Sequence, residues 1–183
     1  TSWSMSRDCD LTRDRPERLT CGAIESTFLP VLGIAPLAGR NFTRDEDLPN
    51  GPKAVLLTYG LWRSRFASDR GIVGHTLQLD GQTATVVGVL PAQFEMPNLN
   101  KVDVLVPQAL NPAGQQRPNT GAVLRAFGRL KPGIAIEHAT AALAPYFARP
   151  PHVVPAPSRT HVHLRYRPVP ATSPQAARPP PRP

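Results

Sequence analysis

This sequence of 183 residues predicts an α+β domain followed by a disordered tail. Three observations carry that reading. Asp80-Gly81 stands between two strand-like runs, the pattern of a hairpin with a two-residue type I′ turn. Tyr59, Trp62 and Phe66 recur at i, i+3 and i+7, which lays one aromatic stripe along a helix. Finally, 11 of the 23 prolines lie from Pro150 onward, together with five arginines and no acidic residue. Such a segment buries too little apolar surface to offset its ordering entropy, so residues 150–183 are expected to be disordered, with polyproline II character.

The elements follow in order. Residues 1–17 are polar and charged, with Trp3, Met5 and Leu11 as the apolar members, and predict an extended or loop segment or a strand remnant. "RLTCGAI" alternates weakly and suits a strand. In "ESTFLPVLG", Phe28, Val31 and Leu32 share one helical face. Gly33 is placed as the stop, and Pro30 is tolerable only in the first turn, so the helix is short. "IAPLAGRNFTRDEDLPNGP" is rich in turn formers and charge and reads as a loop.

"KAVLLT" is a continuous apolar run of the kind buried strands show. Thr58 can cap the aromatic helix that follows, with Arg63 and Arg65 off the stripe. In the hairpin, Leu77 and Leu79 alternate with polar residues, and Val86, Val87 and Val89 make the return strand more apolar. "VDVLVP" is a further strand, Gln108 to Thr120 a loop, "GAVLRAFGRL" a strand and "KPG" a turn. Ala139, Ala142, Leu143, Tyr146 and Phe147 then mark an amphipathic helix, expected to kink or fray at Pro145.

The formal net charge of +8 divides into +5 for the tail and +3 for residues 1–149. The body is nearly balanced, so the basic character does not point to a nucleic-acid partner. No run of about 18 apolar residues is present to span a membrane, and no signal peptide is visible. Starting at "TSWSMSRDCD", the chain reads as a piece of something longer. Cys9 and Cys21 are the only cysteines. A disulfide between them is open in an oxidising compartment, and isolated thiols are the blander reading.

The run around Asp45, Glu46, Asp47 and Asn50 superficially matches a calcium loop, but the alternation fails after Asp47 and no closing Glu follows, so a solvated loop is expected. His75 and His138 read as surface residues. His152, His161 and His163 fall in the tail, where His161 and His163 have no carboxylate nearby. No G-x-S-x-G, G-x-G-x-x-G or Walker pattern occurs. In "LWRSRF" the arginines and aromatics separate onto different helical faces, against a nucleic-acid platform. No catalytic, cofactor-binding or metal-binding residue is assigned, and no enzyme is supported.

The order of segments carries a resemblance. "FLPVLGIAPLAGRNFTRDED", "AVLLTYGLWRSRFASDRGIVGHTLQLDGQTATVVGVLPAQFEMP", "VDVLVPQ" and "GRLKPGIAIEHATAALA" together resemble the MacB-like periplasmic core domain. This is the extracytoplasmic module of permease subunits in the FtsX-like class of ABC transporters, and the likeness is greatest to the orphan-permease branch. It covers about residues 18–148.

The resemblance implies a two-subdomain module. A porter-like part, incomplete here, would comprise residues 1–37 and 120–149. An inserted subdomain with the helix and hairpin would comprise residues 38–108, and residues 109–119 would form a connecting loop. It further implies a non-catalytic role outside the cytoplasmic membrane, with ATP hydrolysed by a separate or fused cytoplasmic ATPase domain. The partners implied are the rest of the permease, that ATPase and often a second copy. Relative to the family, Ala135 stands where a capping Thr is usual, at a cost of about 1 kcal/mol. The membrane anchors are missing, and Pro-, Arg- and Ala-heavy runs are what GC-rich DNA encodes out of frame, so a truncated or frame-shifted reading frame is expected. Two rival readings are a free-standing envelope interaction module and a tail-driven binder of nucleic acid or anionic surfaces.

Overall fold

The computed structural model describes residues 1–4, 7–12, 16–96, 101–110 and 124–148. The chain divides into two units, Thr1–Arg129 and Leu130–Pro183.

In the first unit the strands are β1 (Ser2–Ser4), β2 (Arg7–Thr12), β3 (Pro16–Ile24), β4 (Ala38–Gly39), β5 (Ala54–Leu57), β6 (Thr76–Leu79), β7 (Gln82–Val89), β8 (Val104–Pro107) and β9 (Leu124–Ala126). The helices are α1 (Phe28–Leu32) and α2 (Tyr59–Phe66), and a 3₁₀ turn covers Arg70–Ile72. Among the described residues the pairing order is β2-β6-β7-β5-β8-β3, and β3 pairs back onto β2. The six strands therefore close into a ring, which leaves no free edge within it. Two of its contacts are parallel, β5 with β7 and β3 with β8, and the rest are antiparallel. β1 and β9 continue from the far end of β3, and β4 pairs with β7.

Side-chain alternation explains how one sheet serves two cores. On β5, Val55 and Leu57 face one core while Ala54 and Leu56 face the other. This is why "AVLL" is apolar without a break. The first core takes residues from all six ring strands, among them Leu11, Leu19, Val55, Leu79, Val86 and Val104, so it is the ring's interior. Leu61, Trp62 and Phe66 of α2, with Ile72, close one end of it. The second core lies outside the ring, where α1 packs Phe28, Leu29 and Leu32 against Ile24, Leu56, Val87 and Leu105. Trp3, Phe28 and Phe127 meet there edge to face.

A register shift between Val55 and Leu56 adds one residue to β7. That bulge puts Val86 and Val89 on the inner face and Val87 on the outer. Beside it β4 crosses close over β7, with Gly39 opposite Gly88. A side chain on Gly39, which has φ +73°, would strike the Val87 carbonyl.

Several expectations are corrected. Of the alternatives for the N-terminal segment the extended one holds, and it amounts to more than a remnant: β1, β2 and the start of β3. Cys9 and Leu11 point inward at alternate positions while Arg7, Asp8, Asp10 and Thr12 are exposed. The sparse apolar pattern suffices because β3 and β6 supply the rest of the layer.

Cys9 and Cys21 are not isolated thiols; they form a disulfide. The β2–β3 register sets Cys9 opposite Leu19 and Arg7 opposite Cys21, so the two cysteines are diagonal neighbours on the inner face, with Cα atoms 5.9 Å apart. On α1 it is Leu29, not Val31, that joins Phe28 and Leu32 in the core. Gly33 ends that helix in the left-handed region, with the Ile34 N–H reaching back to the Leu29 carbonyl. The predicted strand around residues 122–130 is described only as β9, and residues 127–130 are irregular.

In the second unit a turn at Lys131–Ile134, with Gly133 at φ +80°, leads into α3 (Ile136–Ala148). The helix runs three residues beyond Pro145. Ile134, Ile136 and Leu143 are exposed. The predicted loop over residues 111–120 and the predicted disorder of residues 150–183 fall outside the described residues.

Candidate functional site

The helix and hairpin are built into the ring at both ends. Thr58 accepts a hydrogen bond from the Leu61 N–H at 3.4 Å and starts α2. Ala67 and Ser68, both with positive φ, end it. The Trp62 indole donates to the Asp69 carbonyl at 2.8 Å, and the Asp69 carboxylate accepts from the Gly71 N–H at 2.8 Å, so the link to β6 is tied down. As expected, Trp62 and Phe66 are core, while Arg63 and Arg65 are exposed. Arg65 pairs with Glu17 of β3, and the Arg63 guanidinium lies over the Tyr59 ring at 5.8 Å.

At the hairpin tip Asp80 and Gly81 have φ of 52° and 74°, as a type I′ turn requires. Asp80 does more than turn the chain. Among the described residues only Leu11–Leu79 and Thr12–Gln78 pair β2 with β6. Asp80 extends this short seam. Its N–H donates to the Asp10 carbonyl at 2.9 Å, its carboxylate accepts from the Asp10 N–H at 2.8 Å, and Arg7 donates to it at 2.6 Å.

The end of the ring away from α2 opens into a cavity of about 220 Å³. Val55, Leu79, Ala84 and Val106 are among its apolar lining, and Arg7, Lys53, Asp80 and Gln82 among its polar lining.

The acidic run is structural in its observed contacts. Thr43 and Glu46 form a capping box, with the Thr43 N–H donating to Glu46 at 2.8 Å and the Glu46 N–H to the Thr43 hydroxyl at 3.3 Å. Arg40 grips the same carboxylate at 2.7 and 2.8 Å. Asp47 accepts from the Ser26 N–H at 2.7 Å and from the Ala109 N–H at 3.0 Å, joining the exits of β3 and β8. Sequence reasoning missed these roles, although T-x-x-E at Thr43–Glu46 is a readable capping signature. Among the described residues no group of three or more His, Cys, Asp or Glu is placed to hold a metal ion. His75 and His138 are exposed and far apart in sequence, and His152, His161 and His163 lie outside the described residues.

Three carboxyls are held below their ordinary range. For Glu46 the Arg40 hydrogen bonds lead, opposed by burial and helped by Thr43. For Asp80 the Asp10 N–H leads, with Arg7 adding to it. For Glu25 partial burial pushes upward, but hydrogen bonds from the Ser2 hydroxyl and N–H outweigh it in sum with the N-terminal charge. A carboxyl with a depressed folded pKa stabilises the fold above its unfolded value and stops doing so as pH falls through the folded value. The urea midpoint is therefore expected to fall as pH drops below about 4.5. Asp80→Asn should make that acid decline shallower and lower the midpoint at neutral pH.

Comparison with known proteins follows the same architecture. Residues 5–146 match the MacB-like periplasmic core domain. No curated protein sequence matches the chain. Among solved structures, the periplasmic region of MacB from Actinobacillus actinomycetemcomitans is similar, with a TM-score of 0.58 at 15% identity, over 79% of this chain and 64% of that one. A domain assigned to a permease protein from Porphyromonas gingivalis has a TM-score of 0.51 at 21% identity, over 79% of this chain and 60% of the other. At these identities the likeness is one of fold. The chain spans less than two thirds of each of these structures. Among the described residues no helix is long and apolar enough to cross a membrane. With the family match covering the whole ring and reaching into α3, the chain belongs to the MacB-like periplasmic core domain family, found in ABC transporter permeases.

Proposed function

We propose that this chain is the extracytoplasmic, non-catalytic part of an ABC transporter permease, where it passes motion driven by a cytoplasmic ATPase to the efflux or extraction of a substrate. The observation that carries the reading is the family match over residues 5–146. The closed ring supports it physically. A barrel plugged by α2 and tied at its β2 seams by the Cys9–Cys21 disulfide and Asp80 moves as one piece, because packed cores deform little. The buried disulfide also favours an oxidising compartment over the cytosol. In the same reading the porter-like part (residues 1–37 and 120–149) and the inserted part (residues 38–108) share the ring, the first giving β2 and β3 and the second β5, β6, β7 and β8, and the partners are the rest of the permease, its ATPase and a second copy.

The test uses the full permease carrying this domain, reconstituted with its ATPase in liposomes. Replacing residues 7–107, which carry all six ring strands, by a short Gly-Ser linker is expected to abolish substrate transport while ATP hydrolysis stays measurable. The purified 183-residue chain should release no phosphate from ATP. Undiminished transport without the ring, or ATP turnover by the isolated chain, would contradict the proposal.

A further inference from the structure

The ring's interior is not apolar along its whole length. Strand alternation carries the inward-facing set of β5 from Leu57 and Val55 to Lys53, that of β7 from Val86 and Ala84 to Gln82, and that of β2 from Leu11 and Cys9 to Arg7. All three polar residues line the cavity at the end of the ring away from α2. The opposite end is shut by Leu61, Trp62 and Phe66. One end is thus plugged with apolar side chains, and the other keeps an apolar floor under a polar layer.

The charges of that layer are unequal in how they are used. Arg7 is paired with Asp80 at 2.6 Å. Glu46, which also lines the cavity, is held by Arg40 at 2.7 Å. Lys53 has no acidic partner among the described residues, so the rim carries one uncompensated positive charge. A cavity of about 220 Å³ holds roughly seven or eight non-hydrogen atoms if each takes about the ~30 Å³ that a water occupies in the liquid. An apolar floor fixes a small hydrophobic group, and one ammonium beside it selects a single negative charge.

We infer that this barrel mouth binds a carboxylate carried on a short apolar group, with the apolar part on Val55, Ala84 and Val106 and the carboxylate at Lys53. Two sources share that chemistry: a free short-chain acid, and the C-terminus of a polypeptide ending in an apolar residue. The inference does not depend on the coupling role proposed above.

The experiment is a titration of the ¹⁵N-labelled full chain, followed by amide chemical shifts. The probes are hexanoate and acetyl-Gly-Leu, with hexanamide and acetyl-Gly-leucinamide as neutral counterparts. Saturable shifts are expected at residues 53–55, 82–84 and 106, with millimolar affinity for so small a ligand. The amides should bind roughly tenfold more weakly than the acids, and Lys53→Gln should weaken acid binding by a similar factor. Lys53→Arg should retain it. Ala84→Leu, which fills the floor, should abolish binding; Lys53→Gln is a surface change that leaves the fold intact and keeps the test decisive if Ala84→Leu does not fold. Tighter binding of the peptide identifies a polypeptide C-terminus as the source, and tighter binding of hexanoate identifies a free acid. Absence of saturable shifts with both acids, equal affinity for acid and amide, or indifference to Lys53→Gln would overturn the inference.

Discussion

Trp62→Ala is expected to lower the free energy of unfolding by about 3–5 kcal/mol, the range for removing a buried Trp. The indole is 6% exposed and belongs to the plug that shuts one end of the ring. Its N–H also satisfies the Asp69 carbonyl at 2.8 Å. Alanine would leave a cavity at the end of the interior core and a carbonyl short of its partner, two costs that add. Trp62→Phe keeps most of the fill and loses the hydrogen bond, so a loss of about 1–2 kcal/mol is expected. Arg63→Ala, one residue along on the exposed face, should stay within about 0.5 kcal/mol. Urea unfolding of the three variants separates these values, provided the denaturant slope is unchanged.

The second large effect comes from the disulfide. Cys9→Ala combined with Cys21→Ala should cost about 3 kcal/mol, the chain-entropy value for a loop near 15 residues, since the bridge closes a sequence separation of 12. The bridge ties β2 to β3, one of the two β2 seams that close the ring, and Cys9 and Cys21 are 2% and 0% exposed. Chain made under oxidising conditions should therefore resist alkylation until it is both reduced and unfolded. Alkylation of the native chain without reductant would contradict the bridge.

Local features were legible in the sequence, and long-range ones were not. Asp80-Gly81 announced the hairpin because a type I′ turn needs two positive-φ residues, and both are found. Thr58 and Gly33 marked helix ends by chemistry that acts within one turn. In the aromatic stripe of α2 Trp62 and Phe66 are core as the spacing implied, while Tyr59 is only partly buried. The disulfide could not be read in the same way. Whether Cys9 meets Cys21 depends on the β2–β3 register, and nothing within either strand sets it.

Ring closure lay further out of reach, because it joins β2 to β6 across nearly seventy residues, among the described residues through two residue pairs and Asp80. The same limit hid the mouth. Arg7, Lys53 and Gln82 look like ordinary surface residues until three distant strands turn them toward one opening.

Native-state hydrogen exchange tests most directly whether the ring behaves as one body. Amides of β2, β3, β5, β6, β7 and β8 should exchange with one common free energy, equal to that of global unfolding. If residues 76–89 instead exchange through a separate, much cheaper opening while β5 and β8 stay protected, the hairpin moves on its own and cannot act as part of a rigid relay.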